Sequence, residues 1–131
     1  MPTLTEKHVP SSGNAGELRV MVVEDDAMMM RLLTHMLAGE EGIAVTQGGW
    51  DAAQLMNEAA WVGVDVALVD LYLPHVPGDE LLAWLGVHAP HVRRIAMSGG
   101  GGPVRLDVAV EADVQLLKPF MIDDLLAAIR S

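Results

Sequence analysis

The sequence predicts an α/β protein in which a five-stranded parallel sheet is covered by helices on both faces, a doubly wound arrangement. Two observations support this prediction. Five short apolar runs alternate with stretches that repeat apolar residues at helical spacing. The chain has 131 residues, of which 51% are hydrophobic and 20% charged, as is typical of one compact domain with a sizeable core.

The apolar runs predict strands, because they are short and nearly continuous, as strands buried on both faces are. They cover residues 18–23, 43–46, 64–69, 92–97 and 114–117. The stretches that follow them predict helices, because their apolar residues recur on one face. These stretches cover residues 29–37, 50–61, 81–85, 104–110 and 122–129, of which 104–110 has the weakest pattern.

Glycines and acids mark several helix ends. Gly39 and Gly42 bracket the end of the first predicted helix, and Gly78 precedes the third. Asp123 and Asp124 stand in the first turn of the last helix, where acids suit the helix dipole.

The pattern places one domain over residues 17–131. Residues 1–16 are rich in Pro, Ser, Thr, Gly and Asn without an apolar period, which predicts a flexible leader. The last helical pattern runs almost to Ser131, so no output domain is expected. The sequence contains no cysteine, which excludes disulfides, cysteine-ligated zinc and thiol catalysis.

The net charge of −10 favours solubility and argues against direct nucleic-acid binding, which needs a basic surface. No apolar run approaches the roughly 20 residues of a membrane span. The N-terminus lacks the apolar core of a signal peptide, so we expect a cytoplasmic protein without membrane attachment.

Carboxylates, a hydroxyl and a lysine stand where four of the predicted strands end. Glu24-Asp25-Asp26 follows the first strand, Asp70 the third, Ser98 the fourth and Lys118-Pro119 the fifth. In a doubly wound fold such positions converge on one pocket. Each motif also has an ordinary structural explanation, as a helix cap or a turn, but Asp70 needs partners because it follows a buried strand.

Phosphoryl transfer explains the combination. Clustered carboxylates repel one another unless a cation neutralises them, and Mg²⁺ prefers oxygen ligands together with phosphate oxygens. A carboxylate such as Asp70 can attack phosphorus and form an aspartyl phosphate. Lys118 would supply a second cation, and Ser98 could donate a hydrogen bond to a phosphoryl oxygen.

The sequence resembles the receiver domains of response regulators in two-component signalling. The resemblance covers roughly residues 18–130 and rests on motifs in the family's order and near its spacing. These motifs are Val-Val-Glu24-Asp25-Asp26, Val-Asp70-Leu-Tyr-Leu-Pro74 with Gly78, Met-Ser98-Gly, and Leu-Lys118-Pro119-Phe120. The resemblance implies a flavodoxin-like strand order, 2-1-3-4-5.

The resemblance also implies a metal site. Asp70 corresponds to the phospho-accepting aspartate, and Glu24 and Asp25 correspond to the acid pair that holds Mg²⁺, for which Mn²⁺ could substitute. Asp70 and the backbone carbonyl of Tyr72 would complete the protein's ligands. Asp26 is either a spare acid or a helix cap, and we favour the cap.

The remaining positions implied by the resemblance concern the phosphoryl group and the switch. Lys118 corresponds to the phosphate-binding lysine, Ser98 to the switch hydroxyl and Pro119 to a cis-proline. Gln115 stands where many regulators carry an aromatic residue, which puts the usual switch coupling in doubt. The run Gly99, Gly100, Gly101 and Gly102 is either a loop that closes over the phosphoryl group or a disordered connection.

The implied function is signal relay rather than enzymatic turnover. A histidine kinase or histidine phosphotransfer protein would phosphorylate Asp70, and a separate downstream protein would read the altered surface; a homodimer is compatible with this. The chain would catalyse only its own phosphorylation and slow autodephosphorylation, and the bulky Tyr72 could slow attack by water.

Three alternatives are weaker. An aspartyl phosphatase similar to haloacid dehalogenases needs an acid where Tyr72 stands. A receiver-like module that works without phosphate is disfavoured by the intact acids, Ser98 and Lys118, although Gln115 keeps it open. A nucleotide-binding domain would need a phosphate loop ending in Gly-Lys-Ser/Thr, which is absent from the sequence.

Overall fold

The computed structural model describes residues 16–99 and 111–131. Its strands are β1 (Leu18–Val23), β2 (Ile43–Gly49), β3 (Val66–Asp70), β4 (Arg93–Ser98) and β5 (Val114–Leu117). Its α-helices are α1 (Ala27–Ala38), α2 (Gly78–His88) and α3 (Ile122–Arg130). The strands pair in parallel in the order β2-β1-β3-β4-β5, which confirms the predicted fold class and strand order.

The sheet separates two hydrophobic cores. On one face, α1 and α3 cover alternate residues of β1, β3 and β4, around the fully buried Leu33 and Leu125. On the other face, α2 and two short turns of 3₁₀ helix cover the remaining residues, around Trp61 and Leu81. Because successive strand residues point to opposite faces, β3 contributes to both cores, and all of its residues are buried.

The predicted second helix over residues 50–61 is wrong. The chain there forms two 3₁₀ turns, Ala52–Leu55 and Glu58–Trp61. Asn57 separates them with extended backbone (φ −146°, ψ 141°), and its side chain accepts a hydrogen bond from the Ala60 N–H at 2.9 Å. The capping side chain thus starts a new turn and competes with continuation of the first.

Trp61 closes this segment. Its indole N–H donates a hydrogen bond to the Leu55 carbonyl at 2.7 Å, and its ring is fully buried. The apolar residues that suggested one helical face therefore fill the core from two separate turns.

Other differences concern boundaries. β2 continues to Gly49, beyond the predicted residues 43–46, and β3 begins at Val66 rather than at residue 64. The weak helix candidate at 104–110, Gly100 to Gly102, and the leader up to residue 15 lie outside the described residues. Within the described residues, no helix is both long and apolar enough to cross a membrane.

Candidate functional site

The structure brings the predicted site residues to one end of the sheet. Glu24 and Asp25 directly follow β1, Asp70 and Ser98 are the last residues of β3 and β4, and Lys118 directly follows β5. All five strands run in the same direction, so their carboxyl ends share one edge. These residues form what we call the acidic pocket.

Three carboxylates of the acidic pocket are close enough to share one cation. Glu24, Asp25 and Asp70 each offer an oxygen, and these oxygens all lie within 4.8 Å of one another. Glu24 and Asp70 are 3% and 5% exposed, whereas Asp25 is open to solvent. An all-oxygen set with one solvent-facing member fits Mg²⁺, which keeps several of its waters.

Lys118 bridges the two buried carboxylates. Its Nζ donates to Glu24 Oε1 at 2.8 Å and to Asp70 Oδ2 at 3.1 Å. Burial alone would lower the pKa of Lys118, but hydrogen bonds and charge attraction from Glu24 and Asp70 outweigh it and raise the pKa above its ordinary value. The two carboxylates therefore stabilise the charged form of Lys118.

Glu24 is harder to ionise than an ordinary glutamate. Burial, reinforced by the hydrogen bond and negative charge of Asp70, raises its pKa to about 7, although Lys118 acts in the opposite direction. The N–H of Asp26 also donates to Glu24 Oε2 at 3.2 Å. A divalent cation beside Glu24 would act in the opposite direction and favour its ionised form.

Asp26 caps helix α1. Its Oδ1 accepts hydrogen bonds from the N–H groups of Met28 at 2.9 Å and Met29 at 3.4 Å. This geometry supports the cap role that we favoured from sequence.

Ser98 supplies a buried hydroxyl at the base of the pocket. The residue is 1% exposed, and its Oγ has no hydrogen-bond partner among the described residues. Its carbonyl accepts the Lys118 N–H at 2.8 Å, which joins the ends of β4 and β5. A buried hydroxyl without a partner is costly, so a site that receives an additional oxygen-rich group fits this arrangement.

Tyr72 contacts the acidic pocket through its backbone. Its N–H donates to Asp70 Oδ1 at 2.9 Å, while its side chain is 40% exposed. The role of its carbonyl as a metal ligand remains a prediction.

The Lys118–Pro119 peptide bond is cis. The Gln115 Nε2 is buried on β5 without a hydrogen-bond partner among the described residues.

Gly78 has a role that sequence reasoning did not identify. A Cβ on this residue would lie well inside contact distance of the Asp70 carbonyl oxygen, 2.8 Å from the Asp70 carbonyl carbon and 2.9 Å from the Leu71 Cα. The first residue of α2 therefore lies directly against the backbone of the candidate acceptor. The sequence shows the glycine at the start of a helical pattern, but it does not show which strand that helix approaches.

The fold and the acidic pocket define a doubly wound α/β protein that gathers three carboxylates, a lysine and a buried hydroxyl at its strand ends. Comparison with known proteins then gives the family. The family model of the response regulator receiver domain matches residues 20–130. The chain therefore belongs to the response regulator receiver domain family of two-component signalling.

Individual relatives agree with this assignment. A protein-glutamate methylesterase/protein-glutamine glutaminase from Myxococcus xanthus is 30% identical over 70% of this chain and 26% of its own length. The DNA-binding response regulator MtrA from Mycolicibacterium paratuberculosis is 29% identical over 86% of this chain and 50% of its own. The chain thus spans between about a quarter and a half of these curated relatives.

Solved structures agree on the fold. A CheY-like receiver domain protein from Methanospirillum hungatei superimposes with a TM-score of 0.72 at 26% identity, covering 87% of this chain and 91% of that one. The response regulator domain of Thermotoga maritima CheB gives a TM-score of 0.74 at 24% identity, covering 87% and 94%.

Proposed function

We propose that Asp70 accepts a phosphoryl group from the phosphohistidine of a histidine kinase or phosphotransfer protein, in a reaction that depends on Mg²⁺ or, in its place, Mn²⁺. The phosphorylated surface is then read by a separate protein. The observation that carries this proposal is the acidic pocket, where Asp70 lies within 4.8 Å of two further carboxylates and 3.1 Å from the Lys118 ammonium.

The residues of this chain orient the nucleophile. Asp70 is held through Oδ1 by the Tyr72 N–H and through Oδ2 by Lys118. These two contacts orient its carboxylate before a donor arrives, which lowers the entropy cost of the attack. Lys118 and the Ser98 hydroxyl are placed to stabilise negative charge on the transferred group.

The metal would be held by Glu24, Asp25 and Asp70, with the Tyr72 carbonyl as a further proposed ligand. When bound, Mg²⁺ neutralises the carboxylates and the phosphoryl oxygens, so that two groups of like charge can meet. The same acidic surroundings disfavour phosphoryl transfer without a divalent cation.

Autodephosphorylation is proposed to be slow, because the pocket provides no carboxylate two residues beyond Asp70. That position is Tyr72, which disfavours the aspartyl phosphatase alternative. We propose protein partners rather than nucleic acid, since the net charge is −10. The DNA binding in the name of MtrA is a property of that protein.

Intact-mass measurement of the protein incubated with acetyl phosphate and Mg²⁺ tests the proposal. The native chain should gain the mass of one phosphoryl group, and the gain should disappear without divalent cation. Asp70→Asn should show no labelling, whereas Asp123→Asn, an equivalent change at an exposed acid on α3, should behave as the native chain. Equal labelling of native and Asp70→Asn protein would refute the proposal.

A further inference from the structure

A cleft of about 550 Å³ opens beside the acidic pocket and shares Asp25 with it. Its other lining residues are Trp50, Pro74 and His75. None of these three belongs to the set that holds the metal or contacts the acceptor carboxylate. The cleft therefore needs its own explanation.

The end of β2 fixes Trp50 at the edge of the acidic pocket. Gly49, the last residue of β2, has a φ of +89°, which favours glycine, and its carbonyl accepts the Glu24 N–H at 3.0 Å. The residue before Trp50 is thus bound to the residue that supplies a buried carboxylate. The indole itself is 49% exposed, so core packing does not account for it.

His75, which also lines the cleft, is tied to the segment after β2 by an acid–imidazole pair. His75 Nδ1 lies 3.0 Å from Asp51 Oδ1, and Asp51 also accepts the Ala53 N–H at 3.1 Å. This pair joins the loop after β3 to the turn after β2, across 24 residues of sequence. The segment that carries Trp50 and the loop that carries His75 are thus each held by a hydrogen bond next to the cleft.

We propose that this cleft receives the imidazole ring of the donor's phosphohistidine and that Trp50 is the surface on which this ring stacks. The inference rests on the proposed function, because it concerns the leaving group of the same transfer. A planar aromatic ring attached to the phosphorus must lie within contact distance of the acidic pocket during transfer, and the cleft that shares Asp25 offers an aromatic face there. Stacking of aromatic rings is favourable beyond the area that it buries.

The transfer step leaves a neutral ring in the cleft. One oxygen of Asp70 forms the new P–O bond as the P–N bond of the donor breaks, and the electron pair of that bond returns to the ring nitrogen. A donor ring that is protonated on its other nitrogen leaves as neutral imidazole, so no further proton is required. Trp50 is a positioning residue in this step, since it contacts the ring and not the reacting phosphorus.

Two small phosphoryl donors distinguish stacking of Trp50 on the donor ring from a general effect of Trp50 on the acidic pocket. Phosphoimidazole carries the ring that the cleft would bind, and acetyl phosphate does not, although the proposed function expects both to phosphorylate the same carboxylate. The experiment measures the second-order rate constant of Asp70 labelling by intact mass, with Mg²⁺ and each donor in turn. The variants are Trp50→Ala, Trp50→Phe and, as a matched loss of exposed apolar surface elsewhere, Val87→Ala, at a residue 75% exposed on α2.

We expect Trp50→Ala to lower the rate constant with phosphoimidazole by about threefold to tenfold, the loss of one stacking contact, and to leave that with acetyl phosphate unchanged. Trp50→Phe should restore most of the loss, because it keeps an aromatic face. Val87→Ala should change neither rate. Circular dichroism of each variant confirms that the fold is retained.

An equal fall with both donors, or no fall with either, would overturn the inference and leave the proposed function intact. The first result would indicate a general effect on the acidic pocket, and the second a partner contact or an idle surface. Absence of labelling of the native protein by both donors would instead overturn the proposed function, and the inference with it.

Discussion

Gly78→Ala tests how closely α2 must approach the acceptor strand. The added Cβ would lie 2.8 Å from the Asp70 carbonyl carbon and 2.9 Å from the Leu71 Cα, and closer still to the Asp70 carbonyl oxygen. Carbon atoms in contact prefer about 3.5–4.0 Å, so these two carbon contacts alone require a separation of about 0.6–1.2 Å. The carbonyl oxygen is closer still, so the helix start and the strand end must separate by at least about 1 Å. The atoms in the way are backbone, so no side-chain rotation can relieve the overlap.

Two losses should follow from this displacement. Overpacking of this kind costs about 1–3 kcal/mol. For a chain of this size, that lowers Tm by roughly 4–11 °C. The displaced group is the backbone of Asp70 itself, and a misplacement of about 1 Å can cost on the order of 100-fold in rate. At a temperature well below Tm, nearly all of the protein stays folded. The rate of labelling by acetyl phosphate should therefore fall far more than the folded fraction does.

Gly86→Ala is the matched control, because it makes the same change within the same helix. There the added Cβ would meet the Arg94 Nη1 at 2.7 Å, the far end of a flexible side chain that can move away. Alanine also favours a helix interior over glycine by about 1 kcal/mol. We expect native or higher stability and a native labelling rate. A Gly78→Ala protein that melts and is labelled like Gly86→Ala would refute the reasoning.

Three further predictions concern the same end of the sheet. Asp26→Ala should lower the free energy of unfolding in urea by about 1 kcal/mol through loss of the α1 cap, while Asp26→Asn retains it; weakened Mg²⁺ binding with unchanged stability would instead make Asp26 a metal ligand. Because the pKa of Glu24 is raised to about 7, its protonated form stabilises the metal-free fold. This stabilisation is fully present below about pH 4.5 and is lost as the pH rises through about 7. Stabilisation by added Mg²⁺, followed as a shift in Tm, should accordingly increase over that range, because the metal replaces the proton; a shift that does not change with pH would contradict this. Tyr72→Ala should shorten the half-life of phosphorylated Asp70, since a bulky side chain beside the pocket is removed while its backbone N–H remains; an unchanged half-life would show that the ring does not shield the phosphoryl group.

The strands and the main helices could be predicted from sequence because their signals are local. Continuous apolar runs identified all five strands, and β5 has the predicted bounds, Val114–Leu117. The segment of residues 50–61 was mispredicted because its apolar spacing is compatible with one helix. The structure instead has a second turn that Asn57 caps, and the Trp61 indole bonded to the Leu55 carbonyl; apolar spacing reveals neither contact.

The sequence identified which residues form the site, but not the distances and contacts between them. Parallel strands bring their ends together, so the convergence of Glu24, Asp70 and Lys118 followed from topology. The sequence does not show that one ammonium contacts both buried carboxylates, or that His75 pairs with Asp51. These contacts join residues 94, 48 and 24 positions apart, and their distances depend on how the whole sheet twists and packs.

The sheet order has a consequence for local opening. Asp70 is the last residue of β3, the central strand, which is paired on both sides and contributes to both cores. Lys118 instead follows β5, one of the two edge strands. Core strands tend to open only at free energies near that of global unfolding, while edge strands exchange their amide hydrogens through smaller fluctuations. The amides of Leu68 and Val69 should therefore exchange with deuterium more slowly than those of Leu116 and Leu117. The 3.1 Å ion pair thus joins an anion at the end of the central strand to a cation that directly follows an edge strand, so we expect the Lys118 segment to open more readily than the acceptor.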